Sequence, residues 1–204
     1  MVVSTLKEDP AQYLAPTINI DSDTPKIVQK AAELTRKCNS DIEKARVLYE
    51  FVRDSYTKDI VDSFVASQIM DQGGNLCYQR SILLAALCRA AGIPARLHLQ
   101  KVSIKGWHYS QDDPARDIKF AHGLTGLYLN RTWNVYEATG NNYKWFQWTG
   151  DEAEATKMIV EFDPNKDCLF DMDRNPRVTG ELLSAHFADR TKELMEIIEQ
   201  MNDF

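Results

Sequence analysis

Apolar residues recur every three or four positions from about residue 25 to residue 91 and every second position after Ala95, so a helix-forming half gives way to a sheet-forming half. In "DTPKIVQKAAELTRKC", Thr24 stands at a capping position, Pro25 suits the first helical residue, and Ile27, Val28, Ala31 and Leu34 share a face. "SDIEKARVLYEFVRDSY" opens with Ser40 and Glu43 in capping-box spacing and carries Ile42, Ala45, Tyr49, Val52 and Tyr56 at helical intervals. "TKDIVDSFVASQIMDQGGN" has no dominant period. Residues 77 to 91 are apolar all the way round through Ile82, Leu83, Leu84, Ala85, Ala86, Leu87 and Cys88, the pattern of an interior helix. Gly92 suits a left-handed closing residue and Pro94 prevents resumption.

From Ala95, Leu97 and Leu99 alternate with Arg96, His98 and Gln100, which predicts a half-buried strand. Residues 105 to 117 read as loop. "FAHGLTGLYLN" and "TWNVYEAT" then read as strands of a hairpin turning at Asn130-Arg131, "MIVEFD" as a further strand, and the end of the chain as an amphipathic helix. Helices followed by an antiparallel sheet predict an α+β fold. The expected organisation is a single domain over 1–204, with a core over about 24–162 and a helical extension over about 179–203.

Charge narrows the partners. With 24 Lys+Arg against 30 Asp+Glu the net charge is −6, and there is no basic run or basic-aromatic interleaving, so nucleic acid is not an expected partner. The N-terminus lacks the apolar core of a signal peptide, and no segment reaches the ~18 apolar residues of a membrane span. A soluble, cytoplasmic protein with no membrane partner is expected. The 4 cysteines form no C-x-x-C pair, which points away from a disulfide framework or a structural zinc site.

Candidate chemistry starts at Cys77, in the first turn of the interior helix. Unpaired N–H groups and the positive end of the helix dipole favour a thiolate there, and the same groups could donate to an oxyanion, each worth about 3 kcal/mol. On this residue alone, a small half-buried cysteine without chemistry is the commoner outcome. Cys88 reads as packing, Cys38 sits beside Lys37 near a helix end, and Cys168 lies in an acidic stretch that discourages ionisation.

Among the 4 histidines, His98 reads as a surface residue on the polar face of its strand, His108 as a loop residue, and His186 as part of a helix face. His122 opens a strand and Glu137 closes the next. With Asn130 and Arg131 as the turn, cross-strand pairs sum to 261, which puts His122 opposite Thr139 and Glu137 opposite Leu124, one diagonal step apart on one face. A carboxylate there can orient the imidazole toward a thiol; a surface ion pair satisfies the same pattern.

The stretches "LYEFVRDSY", "GGNLCYQRSILLAALCRAAGIPARL" and "HGLTGLYLNRTWNVYEATG" resemble, in order and spacing, the transglutaminase-like superfamily of papain-like cysteine enzymes, over about residues 27 to 140. The resemblance implies a helix-then-sheet papain-like core with Cys77 as nucleophile, His122 as general base and Glu137 as the third triad member. Two departures from the family pattern stand out: the acid is usually Asp where this chain has Glu137, and Leu124 and Gly126 stand where relatives often carry Trp and Glu, leaving a smaller and neutral surrounding. The zinc-binding cysteine pairs of peptide N-glycanases are absent, the flanking domains of animal transglutaminases do not fit in 204 residues, and "GGNLC" is one residue longer than the arylamine N-acetyltransferase spacing.

The function so implied is thiol-dependent acyl transfer on amide or peptide bonds, to water or to an amine acceptor, with no cofactor and no metal. A peptide, protein or small amide is the expected substrate. Gln68 and Gln72 are candidates for the second oxyanion donor, and Trp107, His108, Tyr109, Trp145 and Trp148 for the walls of an acyl cleft. The alternative is a catalytically inactive binding module on the same fold. Substrate identity and oligomeric state are not encoded in any motif found.

Overall fold

A computed structural model describes residues 9–55, 63–74, 76–107, 114–139, 160–169 and 178–182. After a short 3-10 turn over Pro10–Leu14, the helices are α1 (Pro25–Thr35), α2 (Asp41–Ser55), α3 (Ala66–Gln72) and α4 (Cys77–Ala90). The strands are β1 (Ala95–Trp107), β2 (Arg116–Leu129), β3 (Thr132–Tyr136) and β4 (Val178–Leu182), in one antiparallel sheet of order β3-β2-β1-β4. Among the described residues, no helix is long and apolar enough to cross a membrane. This is the expected α+β layering: α4 lies at the centre, its apolar surface taken up by α1, α2 and α3 and by β1 and β2.

Helix ends follow local chemistry. At α2, the Ser40 hydroxyl accepts from Glu43 N–H (3.2 Å), while the Glu43 carboxylate turns back to Asn39 N–H (2.6 Å), one residue earlier than a strict capping box. Thr24 does not cap α1; its hydroxyl donates to the Asp21 carbonyl instead (2.8 Å). α4 closes in a Schellman motif: Gly92 is left-handed (φ 84), its N–H reaching Arg89 C=O (3.0 Å) and Ile93 N–H reaching Cys88 C=O (2.9 Å). Val28, expected on the buried face of α1, is exposed.

The hairpin has the expected register. Asn130 and Arg131 take φ of 50 and 64, and Leu129↔Thr132 through Thr125↔Tyr136 all pair on the sum of 261. Left-handed backbone at both turn positions matches a type I′ turn, whose twist suits the flanking strands.

Four expectations change. β1 is buried on both faces: Ala95, Leu97 and Leu99 join the helical core, and Arg96, His98 and Gln100 are buried as well. The reason is a cover of aromatic rings. The Arg96 guanidinium lies 4.0 Å from the Trp133 ring centre and 5.7 Å from that of Tyr13, and its Nε donates to His98 Nε2 (3.0 Å). The strands also run into the expected loop 105–117, β1 to Trp107 and β2 from Arg116. Residues 160–163, within the expected strand "MIVEFD", are not strand. Residues 179–182, expected to open the terminal helix, instead form β4 with Val178 and pair with β1; the rest of that expected helix lies outside the described residues.

One buried cation ties the layers together. Arg80, 1% exposed, directs Nη1 at the carbonyls of Val52 (3.1 Å) and Arg53 (2.9 Å) in the last turn of α2 and at Ala138 (3.2 Å) just past β3. It thereby satisfies helix-end acceptors at the negative pole of α2 and pins the chain leaving the sheet.

Replacing Arg80 with Met keeps the aliphatic stem but strips three buried carbonyls of this donor, so urea unfolding of Arg80→Met is expected to show a loss of about 3 kcal/mol. Arg131→Gly relieves a left-handed non-glycine residue in the hairpin turn, and the same measurement is expected to show a gain of about 1 kcal/mol.

Candidate active site

Cys77 is the first residue of α4, with Leu76 at the cap position. Leucine has no side-chain acceptor, so the exposed N–H groups of the first turn are not consumed by a cap, and those of Cys77 and Tyr78 precede the first i→i−4 bond, made by Arg80 N–H to Leu76 C=O (3.0 Å). The loop before the thiol is clamped by Gln79, fully buried at the third helical position. Its Oε1 accepts from Leu76 N–H (3.2 Å) and its Nε2 donates to Ser63 C=O (2.9 Å). A side chain on Gly74 would come within 2.8 Å of that amide oxygen, which accounts for a glycine there.

His122 lies on β2 and Glu137 immediately after β3; they are 7% and 1% exposed. Nε2 of His122 is hydrogen-bonded to Oε2 of Glu137, the diagonal contact that the hairpin register predicts. The Cys77 sulfur acts on the same imidazole electrostatically, and with Nε2 committed to the carboxylate, Nδ1 is the ring nitrogen left for it. Cys77 is 8% exposed, and its Sγ accepts the main-chain N–H of Gly123 at 3.3 Å. Cys77, 46 positions before Gly123, and Glu137, 15 positions after His122, thus meet at one short stretch of β2.

The Glu137 carboxylate cannot swing away easily. Its Oε1 accepts from Thr139 N–H (2.8 Å), its own N–H donates to Cys168 C=O (2.8 Å), and the Tyr49 hydroxyl shares its proton between the carbonyls of Glu137 (2.7 Å) and Val160 (2.8 Å). Segment 160–169 is held by the rings of Tyr49, Phe162 and Tyr136, the last two stacked at 5.2 Å. The extra methylene of glutamate relative to aspartate is accommodated inside this frame.

Burial works against charge on His122, but the carboxylate of Glu137 and the sulfur of Cys77, each through charge and hydrogen bonding, outweigh it and hold the imidazole protonated well above the ordinary histidine range. Burial pushes the Cys88 and Cys168 thiols up, so neither competes as a nucleophile.

Other expected site residues fall elsewhere. Gln68 and Gln72 are exposed on α3, and Gln68 Oε1 accepts the Ser63 hydroxyl (2.8 Å); neither is hydrogen-bonded to Cys77. His98 is buried rather than on the surface, because Arg96 and the rings above it close over that face. Gly126 makes room for it: a Cβ there would approach His98 Nε2 to 2.6 Å. Trp107 ends β1, and His108, Tyr109, Trp145 and Trp148 lie outside the described residues. Reading the sequence missed Gly123, Gln79, Tyr49 and Arg80. A glycine inside an alternating strand, directly after the histidine, is a signal of close backbone approach, and a glutamine at the third helical position is a capping signal.

Because the fold raises the histidine pKa above the unfolded value of about 6.5, the stability His122 contributes is fully present below that pH and is lost as pH rises through the folded value. Thermal unfolding of the parent and of His122→Gln across pH 5.5 to 9.5 is therefore expected to show a gap that narrows as pH rises.

Residues 28–147 match the transglutaminase-like superfamily. Among solved structures, a candidate cysteine protease of Cytophaga hutchinsonii is similar at TM-score 0.50 and 16% identity, over 89% of this chain and 54% of that one. A candidate protease of Parabacteroides distasonis is similar at TM-score 0.41 and 13% identity, over 62% of this chain and 25% of that one. The first likeness shows the fold, and the chain spans about half the length of that protein. No curated protein matches. The match covers more than half of the sequence, and the chain belongs to the transglutaminase-like superfamily.

Proposed function

We propose that this chain is a thiol enzyme that cleaves or transfers acyl groups of amide or peptide bonds through a thioester on Cys77. The observation that supports the reading best is the His122 imidazole held by Glu137 through Nε2, one strand position before the Gly123 amide that bonds the Cys77 sulfur at the start of a buried helix. The Cys77 Sγ anion attacks the carbonyl carbon, forming the C–S bond while the C=O electron pair moves to oxygen. The Cys77 N–H, with no acceptor in its helix, is placed to donate to that oxyanion. As the tetrahedral adduct collapses, the proton on His122 Nδ1 passes to the leaving nitrogen and the C–N bond breaks. His122 then takes a proton from water or from an amine, which attacks the thioester and releases the sulfur. Glu137 holds the ring in the tautomer and orientation that both proton transfers require. A peptide, protein or small amide fits as substrate.

Cys38 supplies an internal control, because it is more exposed than Cys77 and accessibility alone would make it react first. Timed iodoacetamide labelling at pH 6, read by mass spectrometry, is expected to modify Cys77 before Cys38, and His122→Ala is expected to slow Cys77 by about 10²-fold or more without affecting Cys38. Casein hydrolysis and incorporation of a fluorescent amine into casein separate transfer to water from transfer to an amine; Cys77→Ala removes either activity. Labelling of Cys77 that lags Cys38 and ignores His122 would instead identify a binding module on an enzyme fold.

A further inference from the structure

The sulfur of Cys77 receives a hydrogen bond from the sheet itself, and the register of the hairpin explains why a main-chain donor is available there. In a hairpin with a two-residue loop, the residues flanking the loop form a hydrogen-bonded pair, and every second pair after it does the same. Leu129↔Thr132, Leu127↔Asn134 and Thr125↔Tyr136 are therefore the positions at which β2 turns its N–H and C=O toward β3. The next in that series is Gly123 opposite Ala138, but β3 ends at Tyr136. Beyond it the chain turns to segment 160–169, with Glu137 N–H on Cys168 C=O (2.8 Å), and the Ala138 carbonyl, which a continued ladder would have offered to Gly123, is taken by Arg80 Nη1 (3.2 Å). The Gly123 N–H is thus left without its ladder acceptor, and Cys77 Sγ occupies that place at 3.3 Å.

We propose that the main-chain amide of Gly123 is part of the catalytic apparatus, holding the Cys77 sulfur as the anion and aiming it, and that position 123 must be glycine for the helix to bring the sulfur there. This rests on the nucleophile reading of Cys77. A hydrogen bond to a charged form favours that form, so a donor on sulfur adds to the imidazolium on its other side. The glycine requirement is steric. A Cβ at position 123 would lie 2.6 Å from Tyr78 Cα and 2.8 Å from both Tyr78 N and Cβ, atoms of the helix backbone or fixed to it, which cannot yield without moving the first turn of α4. Any other residue would push the thiol off the amide and off His122 together.

The decisive test replaces Gly123 by glycolic acid through suppression in cell-free synthesis, which converts the N–H to an ester oxygen and adds no atom. Iodoacetamide labelling of Cys77 is then followed from pH 5 to pH 9.5, with Cys38 as control and circular dichroism as the check on folding. Labelling at pH 6 is expected to slow about tenfold relative to the parent, with the two rates converging toward pH 9.5. Gly123→Ala is expected to slow labelling across the whole range, because it displaces the sulfur as well. Superimposable profiles for parent and ester variant would overturn the proposal while leaving His122-dependent labelling intact. A uniform loss at every pH would also overturn it, by showing a role in packing alone. Absence of His122-dependent labelling in the parent would mark failure of the nucleophile reading itself.

Discussion

Everything at the site depends on how closely the first turn of α4 can approach β2. The contact is made without a side chain on the strand side, with Gly123 facing the backbone of Tyr78 at a separation that excludes even a methyl group. That approach sets the depth at which Cys77 sits, and so decides whether its sulfur reaches both the imidazole of His122 and the amide of Gly123. A buried helix normally gains from any well-packed arrangement of its apolar surface. Here the packing of Ile82 through Cys88 fixes the body of the helix, and the glycine fixes its tip.

The acid is held by a second set of constraints, largely main-chain. Glu137 lies where the hairpin ladder has ended, so its backbone is secured instead by Cys168 and Tyr49 and its carboxylate by Thr139 N–H. Arg80 works on the adjoining residue and on the end of α2, which couples the frame of the acid to the helix that carries the nucleophile. Early termination of β3 therefore serves both sides of the imidazole: it frees an amide for the sulfur and turns the carboxylate toward the ring. The Glu137 carboxylate, its carbonyl and its amide each have a buried partner, which makes the geometry stiff.

The helices, the hairpin and its register were legible because each rests on local chemistry: the periods of two and 3.6, the Ser40/Glu43 spacing, Gly92 before Pro94, and Asn130-Arg131 between strands. Since register follows from turn length alone, the pairing sum of 261 carried the diagonal meeting of His122 and Glu137. The outer face of β1 was not legible in the same way. Arg96 and His98 carry the polarity of a surface row, and their burial depends on Trp133 and on Tyr13, which lies more than 80 residues earlier. Alternation in a sequence reports polarity, while burial depends on what else lands on that face.

By itself the sequence determined an α+β fold, a cysteine at the start of an interior helix, and a histidine and a carboxylate on one face of a hairpin, because these follow from side-chain periodicity, capping and turn geometry within short windows. Only the tertiary structure decided that the helix tip and the hairpin edge meet, which nitrogen of His122 faces the acid, and that Gln79 braces the thiol loop. The physical reason is range. Those outcomes depend on backbone groups released where a ladder ends and on contacts across 46 or more residues, for which no local pattern of side chains carries a signal.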